Sequence, residues 1–173
     1  MADQAGLQDK GLKALDRADY AQAEQIFSQL VTDDPKDYSA SFNLALAEVG
    51  LKKDDKAIES FKRTLDLNPA LYQAQINLGM VYLRDGRPGE AVPLLQSAVR
   101  AKPEDVKSRF YLGEAYRAQQ RWDEADSEFQ EVLKRDPKYA KAELGIGEAL
   151  LHQAKLDEAG PHFQQAVTLD GSL

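Results

Sequence analysis

Residues 72–105 read YQAQINLGMVYLRDGRPGEAVPLLQSAVRAKPED, and this stretch decides the fold. Apolar residues recur with helical spacing as far as Leu83, the segment DGRPG interrupts them, and a second helical run continues until Pro103 ends it. The same pattern recurs every 34 residues, and its end is marked by Pro35, Pro69, Pro103 and Pro137. A constant period of this length indicates tandem structural repeats that stack on one another.

Five repeats of 34 residues account for residues 4–173, and residues 1–3 remain as an N-terminal tail. We therefore predict a single array, with repeats at 4–37, 38–71, 72–105, 106–139 and 140–173. Repeat positions are counted here from the first residue of each unit. Each unit is expected to form two helices of about a dozen residues, joined by a short turn.

Small residues occupy two positions of the repeat, and a large residue occupies a third. The eighth position holds Gly11, Ala45, Gly79, Gly113 and Gly147. The twentieth holds Ala23, Ala57, Ala91, Ala125 and Ala159, and the twenty-fourth holds Phe27, Phe61, Leu95, Phe129 and Phe163. Two helices cross closely only where side chains are small, so these positions predict tightly packed helix pairs with the large residue filling the space beside them.

Two prolines interrupt the helical pattern. Pro93 and Pro161 lie about one turn into the second helix of the third and fifth repeats. Because proline removes a backbone donor, we expect those helices to begin late or to bend slightly there. At the seventeenth position, Tyr20 and Trp122 are expected to pack against the turn between the two helices.

The best-defined segments, residues 77–99 and 111–133, read NLGMVYLRDGRPGEAVPLLQSAV and YLGEAYRAQQRWDEADSEFQEVL. Both resemble the tetratricopeptide repeat (TPR) family, which has small residues at positions eight and twenty, an aromatic residue at twenty-four and proline at thirty-two. The resemblance covers almost the whole chain. It implies an all-α fold, a right-handed superhelical TPR solenoid of about ten antiparallel helices. The chain departs from the family at the fourth position, where tryptophan is common and no repeat has one.

The composition argues against several classes of partner. The chain has a formal net charge of −7, and the acidic excess lies in the first and fifth repeats. Nucleic acids and anionic membrane surfaces both require basic protein surface, so neither is expected as a partner. Residues 1–11 show no secretory signal, and no apolar run is long enough to span a bilayer. We therefore expect a cytoplasmic protein that does not insert into membranes.

The sequence offers little for catalysis. It has no cysteine, and its two histidines, His152 and His162, lie on different predicted helices without metal-ligand spacing to a carboxylate. The segment GRPGE fits a helix–helix turn better than a phosphate-binding loop. We predict a non-catalytic protein that uses no metal and no cofactor.

The resemblance implies that the first helices of the repeats line a concave groove in which peptides bind. Carried onto this chain, the predicted partner-binding residues are Phe42, Asn43, Leu46, Val49, Gln73, Ile76, Asn77, Met80, Leu83, Arg84, Lys107, Phe110, Tyr111, Arg117 and Lys141. The first helices of repeats two and three are apolar on nearly every side, which favours an apolar groove. The alternative is that neighbouring helices bury these side chains as core. We expect a protein or peptide partner that is apolar or amphipathic, bound as an extended or helical segment.

The polar members of this set have alternatives of their own. Asn43 and Asn77 share the sixth position, where an amide can hold the backbone of an extended peptide or can bridge within the array. Arg84, Lys107, Arg117 and Lys141 are candidates for a basic rim. Glutamates stand among them at positions 114 and 148, so internal ion pairs are the favoured interpretation.

The fifth repeat is followed by no polar capping helix, and solenoids need such caps for solubility. We therefore expect its last helix to expose part of Phe163, Ala166, Val167 and Leu169. One alternative function is self-association, as a homodimer through Phe163, Val167 and Leu169. Another is that of a targeting or regulatory TPR domain within a longer protein.

Overall fold

The computed structural model describes residues 2–173, and these residues form ten α-helices with no strand among them. In chain order the helices are α1 (Ala2–Asp16), α2 (Tyr20–Asp33), α3 (Tyr38–Gly50), α4 (Asp54–Leu67), α5 (Tyr72–Arg84), α6 (Pro88–Ala101), α7 (Val106–Ala118), α8 (Trp122–Arg135), α9 (Ala140–His152) and α10 (Leu156–Leu169). Odd-numbered helices are the first helices of the repeats, and even-numbered helices are the second. The prediction of an all-α fold of ten helices is confirmed.

The turn inside each helix pair has the same backbone conformation in all five repeats. Its fifteenth repeat position has a positive φ, between 57° and 71°, at Ala18, Lys52, Gly86, Gln120 and Ala154. The next amide closes the turn, as where the amide of Arg121 donates to the carbonyl of Tyr116 at 2.9 Å. This left-handed helix cap favours glycine, because glycine has no Cβ to collide with the carbonyl that follows, yet only the third repeat has glycine there.

Side chains at the fourth repeat position secure two of the connections between repeats. Gln75 Nε2 donates to the carbonyl of Pro69 at 2.9 Å. Arg109 Nε donates in the same way to the carbonyl of Pro103, also at 2.9 Å. A proline carbonyl in a turn has no helical donor, so these polar side chains satisfy it at the position where the family commonly has tryptophan.

Two second helices continue through their internal prolines. α6 begins at Pro88 and contains Pro93, while α10 begins at Leu156 and contains Pro161. Both helices begin at the seventeenth repeat position, as α4 and α8 do, so neither begins late, and the alternative of a slight bend stays a prediction. Each proline removes one bond of the helical ladder, in the second turn, and the rest of the helix supplies its own bonds.

The predicted packing of small residues against a large one is clearest at Phe129 in α8. Its ring is fully buried and lies against Gly113 of α7 and Gly145 of α9. A Cβ added to Gly113 would lie 2.7 Å from the ring, and one added to Gly145 would lie 2.5 Å from it. Gly147 of α9 lies in the same way against Phe163 of α10. Glycine therefore permits the close approach of these helices.

The chain divides into two compact units, Met1–Val81 and Tyr82–Leu173. In the first unit, Phe27 and Leu30 of α2 belong to a buried apolar cluster with residues of α1 and α3. In the second unit, Phe129 occupies the corresponding place in the core between α7, α8 and α9. Each unit thus has a core built from the twenty-fourth repeat position and its small neighbours.

Candidate functional site

A pocket opens between α7 and α9 in the second unit, and its volume is about 160 Å³. It is lined by Phe110, Glu114, Arg117, Lys141, Leu144, Gly145, Glu148 and Leu173. Pockets for drug-sized ligands are typically about 300–1,000 Å³, whereas an apolar cavity of about 150 Å³ holds one benzene ring. The α7–α9 pocket therefore has room for one side chain rather than for a cofactor-sized molecule.

Phe110 forms part of the apolar wall of the α7–α9 pocket and is itself only 8% exposed. Its ring centroid lies 5.0 Å from that of Tyr139 and 5.9 Å from that of Phe129. The ring of Tyr111 lies 5.5 Å away in an edge-to-face arrangement. Aromatic pairs at these distances attract one another and hold their rings in place. Phe110 is therefore a core residue that also lines the pocket.

Arg117 is held between two carboxylates at the edge of the same pocket. Its Nε and Nη2 atoms donate to the two carboxylate oxygens of Glu114 at 2.9 and 2.8 Å, and Nη1 donates to Glu148 Oε2 at 3.0 Å. The hydrogen bonds to Glu114 are the main reason that the pKa of Arg117 is raised. Glu114 lies on α7 and Glu148 on α9, so Arg117 joins neighbouring repeats. The internal ion pairs favoured for this residue are confirmed.

The phenols beside the pocket add no charge at neutral pH. Burial raises the pKa of Tyr111, and the charge of Glu114 raises it further. Burial also raises the pKa of Tyr139. Lys141 is exposed at the edge of the pocket. The charges of the pocket therefore come from one arginine, one lysine and two glutamates, and they balance.

In the first unit, the predicted binding residues of α3 are partly core. Phe42 packs edge-to-face against Phe61 of α4, with the ring centroids 5.8 Å apart. Leu46 and Val49 are half-buried on the same helix, and Asn43 is buried. These side chains therefore contribute to the core of repeat two, and for the surface that they still expose the binding groove stays a prediction.

The predicted residues of α5 and the start of α7 differ in exposure. Ile76 is buried, Asn77, Met80 and Leu83 are half-buried, and Gln73, Arg84 and Lys107 are exposed. The side chain of Asn77 bonds within its own helix, where Nδ2 donates to the carbonyl of Gln73 at 2.9 Å. Of the whole predicted set, the structure brings Phe110, Arg117 and Lys141 together at one pocket.

Three stretches of the chain, residues 9–72, 76–126 and 112–172, match the Tetratricopeptide repeat family. Together they span nearly the whole sequence. The chain belongs to the tetratricopeptide repeat family. TPR proteins are generally non-catalytic scaffolds for protein–protein interactions, so a protein-binding role accompanies the fold.

Solved structures of MamA share this TPR solenoid fold. MamA MSR-1 is 28% identical, with 99% of each chain covered and a TM-score of 0.88. MamA AMB-1 is 29% identical, with 98% of this chain and 100% of that chain covered and a TM-score of 0.87. MamA 41-end from Desulfovibrio magneticus RS-1 is 21% identical over 98% and 96% of the two chains, with a TM-score of 0.91, which shows the fold alone. The comparison with curated proteins gave no match.

The histidines of the TPR array take part in packing between helices. Trp122 of α8 stacks on His152 of α9, with ring centroids 4.0 Å apart and planes 4° from parallel. Trp122 thus stacks on a side chain of the next repeat. His162 Nδ1 lies 2.6 Å from Glu143 Oε2. Within residues 2–173, no group of three or more His, Asp and Glu side chains is arranged to hold a metal, and no helix is both long and apolar enough to cross a membrane.

Glu48 is an unusual residue at the eleventh position of the second TPR repeat. Its side chain is almost fully buried, and Oε2 has no hydrogen-bond partner. Burial raises the pKa of Glu48, and a hydrogen bond with Ser60 partly opposes that rise. The third and fourth repeats have Tyr82 and Tyr116 at this position, each with an arginine guanidinium over its ring, at 4.6 and 4.4 Å. Repeat two therefore lacks the cation–π contact that repeats three and four have at this position.

The last TPR helix, α10, exposes some of the apolar residues expected for self-association. Val167 is 47% exposed, Phe163 and Leu169 are half-buried, and Ala166 is buried. The expected exposure of Ala166 is wrong, because that residue packs within its own repeat. Leu156, which was not singled out from the sequence, is 64% exposed. Leu169 lies two residues after Val167 and thus on the opposite side of the helix.

Some residues at the α7–α9 pocket were absent from the predicted site. Gly145 and Leu173 line the pocket, and Tyr139 supports Phe110 from behind. Gly145 had a signal in the sequence, since it is a second small residue two positions before Gly147 on the same helix. The sequence gives no comparable signal for Tyr139 and Leu173. Both residues lie at the ends of repeats, where the 34-residue period does not specify which side chains meet.

Proposed function

We propose that the chain is a non-catalytic scaffold that binds a segment of a partner protein at the α7–α9 pocket, with one apolar side chain of that segment inside it. The pocket itself carries this proposal, since it has the volume of one side chain and an apolar wall that includes Phe110 and Leu144. Membership of the TPR family supports a protein segment as the ligand.

The charges around the pocket favour an amphipathic segment. Arg117 is neutralised by Glu114 and Glu148, so it has little attraction left for an anion. Lys141 is exposed at the edge of the pocket. A carboxylate placed next to the apolar side chain of the partner is the group that complements it. We therefore infer a partner segment with a large apolar residue flanked by Asp or Glu.

The half-buried residues Phe42, Leu46 and Val49 of α3 support a separate apolar contact surface in the first unit. Their exposed parts are small, so we propose that they add contact area rather than form a pocket. The α7–α9 pocket in the second unit should dominate affinity, because an apolar side chain inside a pocket is desolvated more fully than one on an open surface, and desolvated apolar side chains contribute most to binding.

The proposal is tested by selecting binders from a random peptide display library on the full chain. Selected peptides should be enriched in a large apolar residue beside Asp or Glu. Binding of a labelled selected peptide, followed by fluorescence polarisation, should weaken about tenfold or more in Leu144→Glu, because an apolar side chain contributes about 1.5–3 kcal/mol on burial. It should weaken about two- to fivefold in Lys141→Glu.

The matched control is Leu67→Glu, which introduces the same charge at a leucine of α4 that is 39% exposed. This variant should bind selected peptides as the unmodified chain does. Helical content should be unchanged in all three variants, since each substitution is at least partly exposed. Selected peptides that bind Leu144→Glu with undiminished affinity would show that the α7–α9 pocket is not the binding site.

A further inference from the structure

α10 carries an uncharged stripe on a largely uncovered side. Leu156, Gly160, Phe163, Gln164 and Val167 recur with helical spacing along that side, and we call them the α10 stripe. Leu156 is 64% exposed and Val167 is 47% exposed. A Cβ added to Gly160 would meet nothing within 4 Å, so the surface between them is open. Exposed apolar side chains on an uncharged and uncovered helix face commonly mark an interaction site.

In α8, the equivalent helix of the fourth TPR repeat, the same side is covered by the helix that follows. Phe129, the equivalent of Phe163, is fully buried, and Gly145 of α9 lies against its ring. Trp122, the equivalent of Leu156, stacks on a histidine of α9. The α10 stripe therefore occupies the side that packs against another helix one repeat earlier.

The α10 stripe also lacks charge. Between Glu158 and Asp170 the only ionisable side chain is His162, which contacts Glu143 of α9. α8 carries several acidic and basic side chains over the same span. Over residues 159–169, two copies of α10 can consequently approach each other without bringing charged side chains of like sign together, whereas the same span of α8 carries several such side chains.

We propose that the α10 stripe pairs with the α10 stripe of a second copy of this chain, in an antiparallel dimer with two-fold symmetry. When Leu156 of one copy lies opposite Val167 of the other, Gly160 comes opposite Phe163, and the symmetry axis repeats both contacts. Exposed apolar side chains then meet each other. Each phenylalanine ring lies over a glycine, as the phenylalanine of α8 does against α9. The stripe is thus complementary to itself.

A head-to-tail stack of copies fits the surface less well. Such a stack would place α1 of one copy on α10 of the next, as α9 lies on α8. The residue of α1 equivalent to Gly145 is Asp9, which is exposed. Its carboxylate would then be buried against Phe163, and burying a charge against an apolar ring is unfavourable. The two-fold arrangement avoids this contact.

The proposed dimer is weak and depends on concentration. One helix from each copy forms the contact, which places it below the roughly 1,200–2,000 Å² of standard interfaces. The contact does not involve the α7–α9 pocket, so dimerisation and peptide binding are tested independently. Both copies are acidic overall, with a formal net charge of −7 each, so added salt should strengthen the dimer by screening their repulsion.

Disulfide trapping tests the register directly, because the chain has no cysteine of its own. We would prepare Leu156→Cys and Val167→Cys, tag one of them, and oxidise each alone and both together. The two positions are eleven residues apart, or about 16 Å along a helix, and a disulfide requires Cα atoms within about 7 Å. The mixture should form the mixed disulfide at least about tenfold faster than either variant forms its own. Equal rates for all three pairs, or no cross-linking, would overturn the proposal.

Light scattering across a range of concentrations supplies the second measurement. As the protein concentration increases, the measured mass of the unmodified protein should rise towards that of two chains. The mass of Val167→Glu should stay at that of one chain at every concentration. Leu67→Glu, which places the same charge at an exposed leucine of α4, should associate as the unmodified chain does. Association that survives Val167→Glu would assign the interface to another surface. A mass of one chain at every concentration, with no mixed disulfide, would also reject the dimer.

Discussion

α8 and α10 are equivalent helices of neighbouring repeats, and they differ in what covers them. α9 follows α8 and packs against it, so the ring of Phe129 is fully buried. α10 packs against α9 on one side only, and Phe163 is half-buried. The same residue type at the same repeat position thus has two environments. In a repeat array, burial is a property of the neighbouring repeat as much as of the residue itself.

This difference has a functional side as well as a structural one. The covered helix contributes to the wall behind the α7–α9 pocket, since Phe129 packs against Phe110. The uncovered helix carries exposed apolar residues, with Leu156 and Val167 the largest of them. One second helix therefore supports a proposed ligand site, and the other offers an interface of its own.

The largest effect should come from truncating the two phenylalanines. Phe129→Ala removes a fully buried ring and should cost about 3–5 kcal/mol of the free energy of unfolding. Phe163→Ala should cost less than half of that, because its ring already meets solvent and leaves a smaller cavity. Urea denaturation followed by circular dichroism measures both. Equal losses would mean that α10 is covered as fully as α8.

A smaller effect should come from adding one methyl group to two glycines of α9. In Gly145→Ala the new Cβ would lie 2.5 Å from Phe129, and in Gly147→Ala it would lie 2.7 Å from Phe163. Overpacking costs about 1–3 kcal/mol where the neighbour cannot move. Phe129 is confined by Gly113 on its other side, whereas Phe163 can shift towards solvent. We expect Gly145→Ala to lower the free energy of unfolding clearly and Gly147→Ala to lower it little.

Differential scanning calorimetry at equal protein concentration measures the stability of the Gly145→Ala and Gly147→Ala variants. A low concentration is needed, so that dimerisation does not stabilise α10 in one sample more than in another. If Gly147→Ala proved as destabilising as Gly145→Ala, the ring of Phe163 would be as rigidly held as that of Phe129, and the contrast between the two helices would fail.

The smallest effect on stability should come from glycine substitutions in the turns of repeats four and five, and it should be similar in the two repeats. Gln120 precedes α8 and Ala154 precedes α10, and both have left-handed backbone conformations, with φ of 59° and 60°. Replacing either with glycine removes the strain of a side chain at positive φ and should stabilise the chain by about 0.5–1 kcal/mol. Thermal melts of Gln120→Gly and Ala154→Gly should shift upwards by similar amounts. If only one of the two variants had a higher melting temperature, part of the difference in stability between α8 and α10 would come from the turns that precede them.

The sequence predicted the fold well because the fold depends on repeated positions. The 34-residue period, the glycines at the eighth position and the phenylalanines at the twenty-fourth were enough to place every helix pair. The two internal prolines were misjudged in one respect. Local propensity suggested a late helix start at Pro93 and Pro161, but packing of the whole helix outweighs the loss of one backbone bond at each.

The candidate site was less predictable, because it depends on which side chains meet between repeats. The period indicated that Arg117 and Glu148 share a surface, but the bidentate contact with Glu114 became clear only from geometry. Leu169 was grouped with Val167 from its apolar character, although helical geometry places the two on opposite sides. Tyr139 stands at a repeat end, where the sequence pattern carries no information about contacts.

Amide hydrogen exchange of α8 and α10, measured by mass spectrometry on the full chain, tests the central contrast most directly. In dilute protein, amides of α10 should exchange at least about tenfold faster than those of α8, which corresponds to about 1.4 kcal/mol less local stability. Raising the protein concentration should slow exchange in α10 and leave α8 unchanged. Equal protection of the two helices at every concentration would contradict the account, because α10 would then be neither less stable than α8 nor protected by a second copy.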